Sequence, residues 1–188
     1  MDLGGIPHLD FTKPWWNQNV REALTFGSRS YLATGEITIV DNYATHVMIF
    51  DKKLATDFSI DDPYADVRTG KWTLDKFFQN AALATTDLDG DGAMGKGDRY
   101  GYTVMGPYGP LVPVVMGFDL TWIEKHSDGS ASLAINNERS VTALEKMISL
   151  YWNNGTLQDV RQYYSGDNLS QLLCQVLANG ESVFVGYL

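Results

Sequence analysis

The sequence predicts an α/β domain in which strands and helices alternate along the chain. Short apolar runs of strand length are separated by longer stretches in which apolar residues recur every three or four positions, the spacing of a helix face. Hydrophobic residues make up 44% of the chain and charged residues 20%, which provides a packed core and argues against disorder. A chain of 188 residues fits one domain.

In the first half, the patterns predict an irregular lead-in followed by strands and helices. Residues 1–20 contain Pro7 and Pro14 and show no regular periodicity. The elements predicted next are a hairpin at 31–40, a buried strand at 46–50, and helices at 52–58 and 73–85. Asp51 and Thr73 precede the two helices and suit the N-cap position, because their side-chain oxygens can accept hydrogen bonds from the first free backbone N–H groups.

In the second half, the predicted elements are a strand at 100–104, a helix at 111–120, an extended segment at 132–135, a long helix after Asn136 or Asn137, a helix at 169–178 and a strand at 183–188. The apolar face of the long helix is predicted to contain Val141, Leu144, Ile148 and Tyr151. Cys174, the single cysteine, is expected to be a small buried apolar residue and can form no intramolecular disulfide.

Composition and charge exclude two kinds of protein. The formal net charge is −9 and Lys and Arg are not clustered, so the chain is not expected to bind nucleic acid. No stretch approaches the ~20 consecutive apolar residues of a transmembrane helix.

The N-terminus lacks the basic region and apolar core of a secretory signal, and the sequence ends within a predicted strand. We therefore expect the chain to be part of a longer exported protein.

The strongest local motif is the acidic loop at residues 87–98, which follows the D-x-D-x-D-G pattern of calcium-binding loops. Gly92 stands where such loops turn sharply, and an Asp occupies the last position, where an EF-hand usually has a bidentate Glu. A helix is predicted before the loop and a strand after it, so a structural Ca²⁺ site is expected rather than a sensor. The predicted ligands are Asp87, Asp89, Asp91, Asp98 and the carbonyl of Ala93.

The sequence offers no catalytic constellation, and we do not expect an enzyme. His8, His46 and His126 are the only histidines, and none has the spacing of a zinc site. Neither a G-x-S-x-G nucleophile elbow nor a phosphate-binding glycine loop is present. Carboxylate pairs suited to glycoside hydrolysis occur by chance among 23 acidic residues and have no specific support.

Several motifs together resemble the family 1 extracellular solute-binding proteins of bacterial ABC importers. The segments that carry the resemblance are Lys13-Pro14-Trp15-Trp16, Ser30-Tyr31-Leu32 with Gly35, Phe50-Asp51-Lys52-Lys53-Leu54, Gly70-Lys71-Trp72-Thr73-Leu74-Asp75, Asp87 to Gly101, and Leu177-Ala178-Asn179-Gly180 with Phe184. The order of these motifs along the chain is more specific to the family than any single motif is. The chain departs from the family pattern at Asp51, where Asn is usual, and at Asn17, where Asp is usual.

The resemblance implies one lobe of a type II periplasmic-binding-protein-like fold, a mixed sheet flanked by helices, over residues 1–188. It further implies a sugar or oligosaccharide ligand, ABC permease subunits as partners of the full-length lipoprotein, and an extracellular, cell-surface location through a lipid anchor outside this chain. Because ligands bind at strand ends in open sheets, the implied ligand-binding residues are Asn42, Tyr43, Thr45, Tyr108, Trp122 and Tyr187.

Two alternatives remain open at this point. The chain could be a fragment of a secreted carbohydrate-active enzyme, although the missing catalytic constellation argues against this. It could also be a calcium-stabilised cell-surface interaction module, although such modules are commonly all-β and the sequence predicts α/β alternation. Each aromatic residue proposed to contact ligand, Trp122 and Tyr108 included, could equally pack in the core.

Overall fold

The computed structural model describes residues 1–39, 45–106, 115–165 and 168–187. Internal contacts divide the chain into two compact units. Unit 1 comprises Met1–Thr45 and Thr121–Asn137, and unit 2 comprises His46–Leu120 and Glu138–Leu188. Each unit is described by itself below. The assignment of residues 1–188 to one lobe stays a prediction.

Among the described residues, unit 2 contains a four-stranded mixed sheet. Its strands are β3 (Val47–Phe50), β4 (Tyr100–Val104), β7 (Leu157–Asp159) and β8 (Ser182–Tyr187). Their order in the sheet is β3-β8-β4-β7, with β8 and β7 parallel to β4 and β3 antiparallel to β8. Phe184 is aligned with both Phe50 and Tyr102. Strand β8 therefore lies inside the sheet, between two neighbours.

Five helices of unit 2 are named here, and four of them begin after a capping side chain. They are α2 (Lys52–Asp57), α3 (Pro63–Arg68), α4 (Leu74–Ala84), α5 (Glu138–Tyr151) and α6 (Leu169–Ala178). Side chains of Asp51, Asp62, Thr73 and Asn168 accept hydrogen bonds from N–H groups of the first turns of α2, α3, α4 and α6, respectively. No helix in the described part of the chain is long and apolar enough to cross a membrane.

Helices cover both faces of this sheet, because successive side chains of β8 point to opposite faces. On one face, Phe184 belongs to an aromatic cluster in which the ring of Phe77 lies 4.9 Å from that of Tyr102 and 5.2 Å from that of Phe184. On the other, Val185 packs with Leu173 and Val176 of α6. The predicted mixed sheet flanked by helices is confirmed.

Unit 1 is built from short elements. They are a 3-10 turn at Leu3–Gly5, helix α1 (Gln18–Leu24), and two hairpins formed by β1 (Thr25–Phe26) with β2 (Arg29–Ser30) and by β5 (Ile123–Lys125) with β6 (Ala131–Leu133). The ammonium of Lys125 donates to the carbonyls of Glu22 and Thr25, both at 2.6 Å. A lysine from one hairpin thus binds carbonyls at the C-terminus of α1.

Several predicted elements differ in unit 1. The hairpin predicted at 31–40 is not formed by its described residues; the hairpin instead lies at 25–30 and turns at Gly27, whose φ is +60°. Gly35 forms an isolated bridge with Trp16. A Cβ on this glycine would lie 2.0 Å from the Trp15 carbonyl oxygen, so the glycine allows a close backbone approach rather than a turn. Helix α1 begins within the predicted irregular lead-in.

Other differences concern burial in unit 2. Strand β3 was predicted to be buried, but it lies at the sheet edge and its residues alternate between exposed and half-buried. Cys174 is exposed, because α6 buries Leu173 and Val176 instead. Of the predicted helix at 111–120, residues 111–114 lie outside the described residues, and 115–117 are helical.

The apolar face predicted for the long helix is also wrong in part. Helix α5 buries Ala143, Met147 and Tyr151, whereas the side chains of Val141 and Leu144 are each 52% exposed. Tyr151 is the only predicted member of the face that is buried. Two apolar stripes are present on this helix, and only one of them packs on the core.

Candidate functional site

The acidic loop connects α4 to β4, and its two ends are joined by backbone hydrogen bonds. Thr86 and Arg99 exchange two backbone hydrogen bonds, of 2.8 and 3.0 Å. Inside the loop, the Asp87 carboxylate accepts from the N–H groups of Gly90 at 2.6 Å and Gly92 at 2.9 Å. These two donors, Gly92 above all, hold the pKa of Asp87 below its ordinary value. The loop is therefore folded around a carboxylate that stays ionised at neutral pH.

Three of the predicted metal ligands are brought together. One carboxylate oxygen from each of Asp87, Asp89 and Asp91 lies within 4.8 Å of the others. Oxygens that share one Ca²⁺ each lie about 2.3–2.6 Å from it, so pairs up to about 5 Å apart can reach the same ion. Carboxylate oxygen is the donor that hard divalent cations prefer. This donor set fits Ca²⁺ or Mg²⁺.

Asp98 occupies a different position in the loop. Its side chain is 2% exposed, and its two oxygens accept from the N–H groups of Leu88 at 2.8 Å and Gly95 at 2.7 Å. It stands outside the cluster of three carboxylates and fixes the start of the loop to its end. Metal ligation by Asp98 and by the carbonyl of Ala93 stays a prediction.

The residues predicted to bind ligand are distributed over both units. Thr45 and Trp122 belong to unit 1, and both are exposed. Tyr187 ends β8 in unit 2 and is aligned with Val47. Asn42, Tyr43 and Tyr108 lie outside the described residues. The ligand-binding role of all six residues stays a prediction.

One edge of the unit 2 sheet has the geometry of a ligand site. The C-terminal ends of β4, β7 and β8 meet there because the three strands run parallel. Ligands of open α/β sheets bind at such carboxyl ends. A polar pair lies at this edge, formed by Asp159, the last residue of β7, and Arg161 just after it. The Asp159 carboxylate accepts from the N–H of Gly106, beyond β4, at 2.9 Å and pairs with the Arg161 guanidinium at 3.4 Å.

Gly106 is required at this edge for a steric reason. Its φ is +88°, and a Cβ at this position would lie 2.3 Å from Nη2 of Arg161. The guanidinium therefore lies directly against the backbone after β4. Neither Asp159 nor Arg161 was predicted from the sequence, because β7 has only three residues, too few for an alternating apolar pattern that would reveal a strand and its end.

The comparisons with known proteins identify the fold. No protein-family model matches the sequence, and no curated protein matches it. The structure is similar to an ABC substrate-binding protein from Listeria monocytogenes that was solved in complex with cycloalternan. The TM-score is 0.53 at 15% sequence identity, and the match covers 100% of this chain but 42% of that one. The chain thus has an α/β fold of the periplasmic-binding-protein type and spans less than half the length of this structural neighbour.

Proposed function

We propose that this chain is a ligand-binding lobe of an extracellular solute-binding protein that delivers a sugar or oligosaccharide to an ABC transporter. The observation that carries the proposal is the likeness of fold over the whole chain to an ABC substrate-binding protein in complex with an oligosaccharide. The order of the sequence motifs supports the same class and, more narrowly, family 1 of these proteins. The proposed role is binding rather than catalysis.

The proposed ligand site is the edge where β4, β7 and β8 end. Sugars present hydroxyl groups that need planar polar partners, and the pair formed by Asp159 and Arg161 offers a carboxylate and a guanidinium within 3.4 Å of each other. Sugars also have apolar C–H faces that stack on aromatic rings. Tyr187, which ends β8, is the aromatic residue proposed for stacking at this edge. The ligand-binding roles proposed for Trp122, Tyr108, Tyr43, Asn42 and Thr45 rest on the family resemblance alone.

The partners and location proposed here belong to the whole protein. ABC permease subunits would receive the ligand, and a lipid anchor outside this chain would hold the protein at the cell surface. The fold likeness supports this assignment, because the similar protein is an ABC substrate-binding protein and is more than twice as long as the matched part.

We further propose that the acidic loop holds a structural Ca²⁺ ion through Asp87, Asp89 and Asp91. The loop ends are tied to each other by the bridge between Thr86 and Arg99, and the Arg99 side chain donates to the carbonyl of Gly180 at 2.8 Å. Neutralising three clustered carboxylates would stabilise the connection between α4 and the sheet. The role is structural, since the loop lies between a helix and a strand rather than between two helices.

The sugar assignment is tested by calorimetry of this chain against linear oligosaccharides, amino acids and dipeptides. We expect millimolar binding of oligosaccharides, because one lobe contacts only part of the ligand surface. Trp122→Ala should weaken this binding, whereas Trp15→Ala, which removes a tryptophan of similar exposure from the same unit (43% against 50%), should leave it unchanged. Preferential binding of an amino acid would contradict the sugar assignment, and a micromolar Kd for sugar would contradict the assignment to one lobe.

A further inference from the structure

A cavity of about 490 Å³ lies entirely within unit 2, on the α4 side of the sheet. It is bounded by Met48 of β3, by Trp72 and Asp75 at the start of α4, by Phe118, and by Lys146 and Tyr151 of α5. Met48 is aligned with Gly186, which is also aligned with Val104 at the end of β4. The cavity therefore reaches the sheet edge at which β4 and β8 end.

Its apolar wall is aromatic and held in place by the core. The ring of Trp72 lies 5.9 Å from that of Phe77 and 6.2 Å from that of Phe184, and both of these rings are buried. The side chain of Trp72 is only half-buried, so part of a fixed indole ring is open to the cavity. A rigid, partly open indole ring is suited to stacking against an apolar ligand face.

The polar groups of the cavity carry no net charge. The ammonium of Lys146 and the carboxylate of Asp75 form an ion pair at 2.6 Å, with 41% and 53% of their side chains exposed. Lys146 uses one of its three donors in this pair, and Asp75 keeps a second oxygen with accepting capacity. Two donors and an acceptor thus remain for a ligand, and their opposite charges favour a neutral one.

A third polar group of the cavity lining has no partner among the described residues. The side chain of Tyr151 is 2% exposed, and its hydroxyl makes no hydrogen bond with any described residue. Buried hydroxyl groups are nearly always paired, so this one calls for a partner that the described residues do not supply, a water molecule or a ligand atom. Burial also raises the pKa of Tyr151, which keeps the phenol protonated and able to donate.

We propose that this cavity binds one neutral sugar ring, with the C–H face of the ring on Trp72 and its hydroxyl groups on Asp75, Lys146 and Tyr151. An aromatic wall combined with clustered donors and acceptors fits a pyranose, which has an apolar face and a polar rim. The volume lies at the lower end of the range of small-molecule sites, about 300–1,000 Å³. The inference rests on the proposed function and adds to it a defined subsite whose described lining lies within unit 2.

The test uses ligand-observed NMR of the chain with D-glucose and maltose at tens of millimolar. Asp75→Asn should weaken binding about tenfold, because it removes a charged hydrogen-bond acceptor and the partner of Lys146. Its matched control is Asp61→Asn, since Asp61 forms an ion pair of the same 2.6 Å length with Lys76 of the same helix but lies outside the cavity lining. Tyr151→Phe should weaken binding about threefold without lowering the melting temperature, because the lost hydroxyl has no hydrogen-bond partner among the described residues.

The outcomes separate the two proposals. Sugar binding that is unchanged in Asp75→Asn and Tyr151→Phe, or equally weakened in Asp61→Asn, overturns the cavity and leaves the proposed function standing. Absence of any sugar signal also overturns the cavity, because every group proposed to contact the sugar belongs to this chain. That outcome leaves the proposed function standing, since a lobe that needs a second lobe to bind its ligand would give the same result. Binding of amino acids in place of sugars overturns both.

Discussion

The two units differ in how they are held together. Unit 2 has a sheet covered on both faces and a buried aromatic cluster that includes Phe78, Tyr102 and Tyr151. In unit 1, Phe11 is the only buried hydrophobic residue among those described. Its elements are joined by polar contacts, such as those from Lys125 to the end of α1 and from the N–H of Ser30 to the Asp2 carboxylate at 3.1 Å.

This difference shows what the sheet contributes. A strand that has neighbours on both sides presents alternate residues to two layers, so β8 places Phe184 in one core and Val185 in another. Two-stranded hairpins bury too little apolar surface to be stable by themselves. We therefore expect unit 2 to supply most of the free energy of unfolding, and unit 1 to depend on exposed hydrogen bonds whose net contributions are small.

The largest predicted effect compares the loss of stability caused by one Phe→Ala substitution in each unit. Phe78→Ala, at a side chain that is 1% exposed, should lower the free energy of unfolding by about 3–5 kcal/mol, because it leaves a cavity in a packed core. Phe11→Ala, at 7% exposure, should cost clearly less, because few apolar neighbours surround this ring. Urea unfolding followed by circular dichroism measures both. Equal losses would show that unit 1 has a core comparable to that of unit 2.

The second prediction concerns calcium and should affect unit 2 alone. A ligand that binds only the native state stabilises it by about 2.7 kcal/mol at a hundredfold excess over Kd. For a chain of this size that corresponds to a melting temperature about 5–10 °C higher in calcium than in chelator. Hydrogen exchange should show the added protection around residues 85–100 and none in the hairpins of unit 1.

A matched pair of variants controls for the loop itself. Asp89 and Asp128 each accept a hydrogen bond from the backbone N–H two residues on, at 3.1 and 2.9 Å. Asn can make the same turn without the charge. Asp89→Asn should therefore abolish the calcium shift, whereas Asp128→Asn, in unit 1, should preserve it. Superimposed melting curves of the unsubstituted chain in calcium and in chelator would show that the loop is only a turn.

The sequence was most informative where one residue type determines local geometry. Asp51 and Thr73 predicted the starts of α2 and α4 because a capping side chain acts on its own first turn. The three clustered carboxylates were also predictable, since alternate residues of a tight Gly-rich loop converge. In contrast, α3 was not predicted, although Asp62 caps it and Pro63 occupies its first turn, a position at which proline is common.

What could not be predicted depends on contacts between distant residues. Asp75 and Lys146 lie 71 positions apart, and only packing of α4 against α5 brings them together. The exposure of β3 follows from strand order, which places β8 rather than β3 inside the sheet. The site at the ends of β4 and β7 likewise requires knowing that these strands are parallel neighbours. Periodicity within one segment contains none of this information.

The smallest predicted effect concerns an exposed leucine of unit 2, which is compared with a buried leucine of the same unit. Leu144 and Leu173 lie on the helices α5 and α6 and are 52% and 4% exposed, respectively. Leu144→Ala should change the free energy of unfolding by less than about 0.5 kcal/mol, because an exposed side chain leaves no cavity and Ala favours a helix. Leu173→Ala should cost about 2–5 kcal/mol, as expected for a buried leucine. A loss at Leu144 equal to that at Leu173 would show that the stripe formed by Val141, Leu144 and Ile148 is covered in solution. In that case the helix face predicted from the sequence would be the packed one after all.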